Sequence, residues 1–166
     1  MTHERTPEVP PTRRGSVVTV SDRVFAGERF DGTGPALVQW LAGLGLDVDG
    51  PDVVPDDVDM VRTTVTQHIA AGAQLVLTTG GTGIGPRDRT PEALTPLFDF
   101  TVPGVGEAVR AAGPATACLS RAVAGVVGTC LVVALPGSGA ACDEAMTLLT
   151  PVIAHALDQI DGGDHP

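Results

Sequence analysis

The chain contains no lysine, no asparagine and no tyrosine, and its aromatic residues amount to 3% of 166 residues. Every basic residue is therefore an arginine, ten in all, set against 20 acidic residues for a formal net charge of −10. Nucleic-acid binding relies on basic clusters that neutralise phosphates. The one adjacent basic pair here is Arg13-Arg14, so a nucleic-acid partner or an anionic membrane surface is excluded. Long apolar runs are also lacking. Cys130 to Leu135 is among the longest, far short of the ~20 residues that span a bilayer. The start, Met1-Thr2-His3-Glu4-Arg5, leads into proline-rich polar sequence, and no secretory signal is expected. Cys118, Cys130 and Cys142 are odd in number and form no C-x-x-C pair, which excludes zinc and dithiol motifs. They read as small buried hydrophobes in a cytoplasmic protein.

What is present suffices for a core. Hydrophobic residues make up 43% of the chain, with 21 glycines besides, and charged residues only 18%, below the usual ~25%. The length suits one domain of about 100–200 residues. Residues 1–14 read as a flexible arm, proline-rich and without periodicity, and residues 15–162 as a single domain, with order beginning at Ser16. Val17, Val18 and Val20 predict a buried strand. Pro35 suits the first turn of a helix with Leu37, Leu41 and Leu44 on one face and Gly45 closing it. A strand over Leu46 to Val54 follows. Val58, Val61, Val65 and Ile69 form a helical stripe ended by Gly72. Leu75-Val76-Leu77 is the next strand. Short links between alternating strands and helices predict a parallel sheet with right-handed crossovers.

Further helices are expected from Thr90 and over Pro103 to Ala112. Ala122–Val127 and Cys130–Leu135, flanking Gly128-Thr129, predict an antiparallel hairpin. A last helix begins near Ala141, and Pro151 is expected to kink or restart it. The fold class is α/β: a three-layer α/β/α sandwich, mostly parallel, with one local antiparallel hairpin.

In such sheets ligands bind outside the carboxyl ends of the strands. Four loops should meet there: Ser21-Asp22-Arg23, Pro55-Asp56-Asp57, the glycine loop from Thr79, and Pro136-Gly137-Ser138. The loop Thr79-Gly80-Gly81-Thr82-Gly83 lets successive N–H groups converge on an anion, or simply makes a tight connection. It fits neither the Walker pattern nor the dinucleotide fingerprint. A carboxylate beside a phosphate cradle can hold Mg2+, which nominates Asp88. Asp56 is placed to N-cap the helix that follows it, a role compatible with metal binding. Asp57 is the competing cap and is expected in solvent. Asp22 reads as a ligand or a turn residue, and Ser138 as an anion donor or a helix cap. Arg23, Arg87 and Arg89 can pair with phosphate or with the acidic surface; Arg87 is the favoured phosphate partner. His68 lies outside its helix stripe and is expected to be partly exposed. His155 reads as structural. No Ser-His-Asp set is visible.

These residues resemble the MoaB/Mog family of molybdenum-cofactor biosynthesis proteins, whose domain also occurs in gephyrin. The matching stretches include Ser21-Asp22-Arg23 with Asp31-Gly32-Thr33-Gly34, Val54-Pro55-Asp56 and Thr78-Thr79-Gly80-Gly81-Thr82-Gly83. They continue with Pro86-Arg87-Asp88-Arg89-Thr90-Pro91-Glu92-Ala93, Pro103 to Ala108, Leu119 to Gly125 and Leu135-Pro136-Gly137-Ser138. The resemblance spans roughly Ser16 to Ile160.

It implies a trimer, or a hexamer of trimers, that binds molybdopterin and adenylylates its terminal phosphate with Mg-ATP, releasing pyrophosphate. It implies catalytic and Mg2+-binding roles for Asp56 and Asp88. It places phosphate or pterin against Ser21, Asp22, Thr79, Gly80, Gly81, Thr82, Gly83, Arg87, Pro136, Gly137 and Ser138. Other molybdenum-cofactor enzymes are implied as partners. One departure stands out: after Pro-Gly-Ser, where many relatives carry proline or a nearby lysine, this chain has Gly139-Ala140-Ala141. With no lysine in the chain, any family lysine that holds ATP phosphate is missing; arginine is the candidate substitute, though the two are not interchangeable in geometry. Two other readings share the fold: a molybdopterin-binding carrier without transfer activity, and an assembly scaffold. An AMP-transfer assay separates the adenylyltransferase from these two, and pterin binding without transfer selects the carrier.

Overall fold

A computed structural model describes residues 12–163. Its strands are β1 (Arg14–Val20), β2 (Asp47–Val54), β3 (Leu75–Thr79), β4 (Phe100–Thr101), β5 (Val123–Val127) and β6 (Cys130–Leu135), in sheet order β2-β1-β3-β6-β5-β4. β2, β1, β3 and β6 are mutually parallel; β5 runs antiparallel to β6, and β4 to β5. The helices are α1 (Asp22–Phe25), α2 (Gly34–Gly43), α3 (Val58–Ala70), α4 (Thr90–Leu94), α5 (Pro103–Ala112) and α6 (Gly139–Ile160).

Strand alternation sorts the core into two layers. Val17, Leu75, Leu77, Leu131, Val133 and Leu135 face α2, α5 and α6 and pack with Leu37, Leu41, Val109, Leu149 and Ile153. Val18, Val20, Val76, Val132 and Ala134 face the other way, onto Val61 and Val65 of α3 and Leu94 of α4. The expected three-layer α/β/α sandwich is therefore the fold. Edge strand β2 carries Asp47, Asp49 and Asp52, charges that discourage pairing with another chain.

Several local expectations are corrected. α6 does not restart at Pro151, since one helix runs from Gly139 to Ile160. Cys142, Ala145, Leu149, Ile153 and Leu157 form one buried stripe across that position. Burial at about 1.5–3 kcal/mol for each large side chain outweighs the ~3 kcal/mol of an interior proline. Asp57, not Asp56, caps α3, accepting from Met60 N. Cys118 is exposed, in a 3-10 turn over Ala115–Leu119 that buries no residue, whereas Cys130 and Cys142 are buried and their thiols are pushed up to about 12 and about 11. Strand β1 starts at Arg14 and not Ser16, because the carbonyls of Arg13 and Arg14 accept from Asp47 N and Gln74 N, both at 2.9 Å. The expected arm otherwise falls mostly outside the described residues. Arg13 ties the start of β1 to the end of α6 through Asp158 at 2.6 Å and Asp161 at 3.0 Å. Among the described residues no helix is long and apolar enough to cross a membrane.

Candidate functional site

The four parallel strands end at one rim, and the loops that leave them enclose a cavity of about 520 Å3. β2 and β3 lie on opposite sides of β1, so the crossovers diverge there and leave the crevice typical of a topological switch point. Three further cavities are of similar size. One, about 530 Å3, lies at the opposite ends of the strands; another, about 420 Å3, is an apolar groove between α6 and β4–β6; a third, about 430 Å3, lies between α2 and α6. None of them brings a glycine-rich loop together with open carboxylates, since Asp158 and Asp161 on the first are both held by Arg13, so chemistry and not volume selects the rim.

Two glycines shape it. Gly80 has φ +101 and Gly81 φ +66, conformations costly for other residues. A Cβ on Gly80 would stand 2.2 Å from Val20 O, and one on Gly81 2.3 Å from Thr90 Oγ1. Thr90 donates its hydroxyl to Gly80 O at 2.9 Å and its N–H to Gly81 O at 3.0 Å. Arg121 secures the far side of the loop: its guanidinium donates to Gly83 O at 2.9 Å and Asp88 O at 2.6 Å and pairs with Glu92, while its N–H reaches Thr82 O at 2.6 Å. The hydrogen bond from Arg121 holds the Glu92 carboxyl below its usual range.

The carboxylates divide into a paired one and two open ones. Asp22 accepts both arms of Arg87, at 2.9 and 3.0 Å, and the bidentate contact lowers its pKa. Asp22 N donates to Asp56 Oδ2 at 3.0 Å, and Asp56 N donates to Asp22 Oδ1 at 2.9 Å. This exchange locks two loops together. Asp56 has the opposite electrostatics from Asp22. Burial, followed by the charges of Asp22 and Asp88, raises its pKa against the help of the Asp22 N–H. Asp88 Oδ2 accepts from Gly85 N at 2.8 Å. Asp56 and Asp88 thus line the cavity, each with an oxygen that accepts no hydrogen bond among the described residues.

Beside the glycine loop, Gly137, Ser138 and Gly139 bring the start of α6 to the cavity, where Ser138 caps the helix by accepting from Ala141 N. Thr79 Oγ1 lies 3.0 Å from Pro136 O and 3.1 Å from Thr33 Oγ1.

Of the residues nominated from sequence, Ser21, Asp56, Thr79, Gly80, Gly81, Asp88, Gly137 and Ser138 line the cavity. Asp22, Thr82, Gly83, Arg87 and Pro136 are not on its lining. Arg87, the favoured phosphate partner, is taken up by Asp22 here. Sequence reasoning missed Thr19, Arg29, Phe30, Asp31 and Thr33 on the lining. Asp31 accepts from Thr19 Oγ1 at 2.7 Å and Gly34 N at 2.9 Å; the Asp31-Gly32-Thr33-Gly34 stretch ahead of Pro35 was its signal. Arg29 and Phe30 carry no motif.

The fold and site define a doubly wound α/β domain with a glycine-rich loop and an open carboxylate pair at the switch point. Residues 16–155 match the family model described as "Probable molybdopterin binding domain", and the chain belongs to this MoaB/Mog family. It is 39% identical over 163 residues to a molybdopterin adenylyltransferase of Pyrococcus furiosus, covering 93% of this chain and 95% of that one. A molybdenum cofactor biosynthesis bifunctional protein of Synechococcus elongatus is also 39% identical, across 96% of this chain and 52% of its own length. The chain thus spans about half the length of the first curated relatives it matches. Among solved structures, the molybdopterin biosynthesis enzyme MoaB from Thermus thermophilus is 42% identical with a TM-score of 0.85, covering 91% of this chain and 98% of that one.

Proposed function

We propose that the chain acts in molybdenum-cofactor biosynthesis as a molybdopterin adenylyltransferase. The observation that carries the reading is the pair Asp56 and Asp88 beside the Gly80-Gly81 cradle in one cavity. In the reaction, a terminal phosphate oxygen of molybdopterin attacks the α-phosphorus of ATP. The bond to the β-phosphate bridging oxygen breaks, and pyrophosphate leaves. Bringing two anions together is the main obstacle, and it is offset by oriented N–H dipoles and positive charge.

The donor set fits Mg2+. Among the described residues no cluster of three or more His, Cys, Asp or Glu could hold a metal alone, and Mg2+ characteristically takes one or two carboxylates with substrate phosphates. Asp56 and Asp88 would hold it. When bound, it neutralises developing phosphate charge and aligns the reacting oxygens. The chain's own contributions are separable. Gly80 and Gly81 bring backbone within reach of phosphate. The N-terminus of α6, which reaches the cavity at Ser138 and Gly139, attracts negative charge. Arg121 and Thr90 fix the cradle, and the Asp22–Arg87 pair fixes Asp56.

Further proposals accompany this reading: a homo-oligomer, trimer or hexamer; action in the cytoplasm; and delivery of product to other molybdenum-cofactor enzymes. The exposed apolar side chains Phe100 and Val152 beside the groove on α6 support self-association, which sedimentation would size. The function is tested by pyrophosphate release from Mg-ATP. Release that requires molybdopterin supports transfer. Molybdopterin binding without release would replace it with the carrier reading.

A further inference from the structure

The missing lysine leaves one question at the site: which cation meets the substrate's phosphate. The structure answers it by elimination. Five of the described arginines are ion-paired with Asp or Glu, and Arg110 is engaged by the carbonyls of Ser120 and Ala122. Among the described residues only Arg23, Arg29 and Arg89 remain without a side-chain partner, and of these only Arg29 lines the cavity. Arg29 is also the sole basic residue on a lining that includes Asp31, Asp56 and Asp88. Its backbone is held: Glu28 N and Arg29 N both donate to Arg23 O, at 2.8 and 3.2 Å.

The next residue is equally distinctive. Phe30 is 86% exposed, the most exposed large hydrophobic residue among those described, and it lines the same cavity. Phe25 and Phe100 are exposed too, at 54% and 58%, but only Phe30 stands in water at the mouth of the polar pocket. An aromatic face beside an uncommitted guanidinium matches a flat heteroaromatic ring that carries phosphate: the ring stacks, and the guanidinium takes phosphate oxygens in its planar fork.

We propose that Arg29 and Phe30 form a clamp for a phosphate-bearing heteroaromatic ligand, with Arg29 replacing the absent lysine. The clamp rests on placing the anionic substrates at this rim. Both the nucleotide and the pterin have the required chemistry, and the experiment separates them.

Calorimetric titration of the full chain with three probes, Mg-ATP, molybdopterin and inorganic pyrophosphate, tests this. Arg29→Gln should weaken the clamped ligand on the order of tenfold or more, as expected for a charge-assisted hydrogen bond. The loss should shrink as salt screens it. Phe30→Ala should weaken the same ligand by roughly tenfold, within the range for aromatic stacking on a base. Phe30→Tyr should restore it. Pyrophosphate, having no ring, should respond to Arg29→Gln and ignore Phe30→Ala. Arg23→Gln, an equal charge change on the same segment outside the cavity, should bind all three probes as the unaltered chain does. Melting temperatures should stay level, since both side chains are exposed. The clamp is overturned if Arg29→Gln matches Arg23→Gln for both ring ligands, if Phe30→Ala binds both normally, or if the unaltered chain binds neither. Clamp-dependent binding in a chain that transfers no AMP would remove the adenylyltransferase reading and leave the clamp standing.

Discussion

Asp56 and Asp57 are adjacent, acidic and at the same helix start, yet the structure assigns them different work. Asp57 caps α3 through Met60 N at 2.9 Å and is exposed. Asp56 is half-buried, makes no cap, and lines the cavity. Two substitutions should therefore dissociate stability from activity. Asp57→Ala removes a cap, a loss of about 0.5–2 kcal/mol. For a domain of this size about 1 kcal/mol lowers the melting temperature by roughly 2–4 °C, and AMP transfer below that temperature should be unchanged. Asp56→Asn keeps the shape and an acceptor for the Asp22 N–H. It also removes a charge that burial and two neighbouring carboxylates disfavour. Its melting temperature should hold or rise, while transfer should fall by orders of magnitude, because Mg2+ needs an anionic oxygen that an amide supplies poorly. The assay is a melting curve beside a transfer rate measured across a Mg2+ titration. Equal, mild losses of activity in both variants would refute the assignment of Asp56.

Four other outcomes are expected. Gly81→Ala should cost about 1–2 kcal/mol from its left-handed backbone alone, with further strain against Thr90 Oγ1, and should depress transfer beyond what its melting curve explains. Arg121→Ala should leave loop acceptors of the Gly83–Asp88 segment unmet, at about 1–3 kcal/mol, visible as faster amide exchange across that segment. The Asp56 pKa is raised, so at low Mg2+ transfer should fall off on acidification before the ordinary carboxylate range of about 4 is reached. Saturating Mg2+ should shift that limb to lower pH. The stability linkage of Asp56 has the opposite sense: its contribution is lost as pH rises from about 4 through the raised value, and comparing the pH-dependence of melting in Asp56→Asn isolates it. Deleting residues 1–11 should leave the melting temperature unchanged, whereas Arg13→Ala should lower it slightly, since exposed pairs contribute about 0–1 kcal/mol.

Most of the fold was legible because its signals are local and strong. Periodic valines mark α3, a β-branched run marks β1, the short apolar run Leu75-Val76-Leu77 marks β3, and Gly128-Thr129 marks the hairpin. β4 was not, because a two-residue strand leaves no period to read. Continuity through Pro151 was not, because propensity argues against it and only the buried stripe on both sides decides it. At the site, the glycine loop and Asp88 were visible as a dense motif. The division of labour between Asp56 and Asp57 was not, since both satisfy the capping pattern and only the reciprocal bonds with Asp22 separate them. The pairing of Arg87 was not legible for a related reason: an arginine beside a glycine-rich loop suits phosphate, and the bidentate partner it has in this structure, Asp22, is 65 positions away in sequence.

The central claim is that this cavity transfers AMP. Its most direct test is to incubate the purified chain with Mg-ATP and molybdopterin and weigh the pterin product by mass spectrometry, with Asp88→Asn and Asp56→Asn alongside. The account predicts an AMP-adducted molybdopterin from the unaltered chain, none above background from either variant, and near-native melting curves for all three. Unmodified molybdopterin from a folded, ligand-bound, unaltered chain, or an undiminished adduct from both variants, would contradict it.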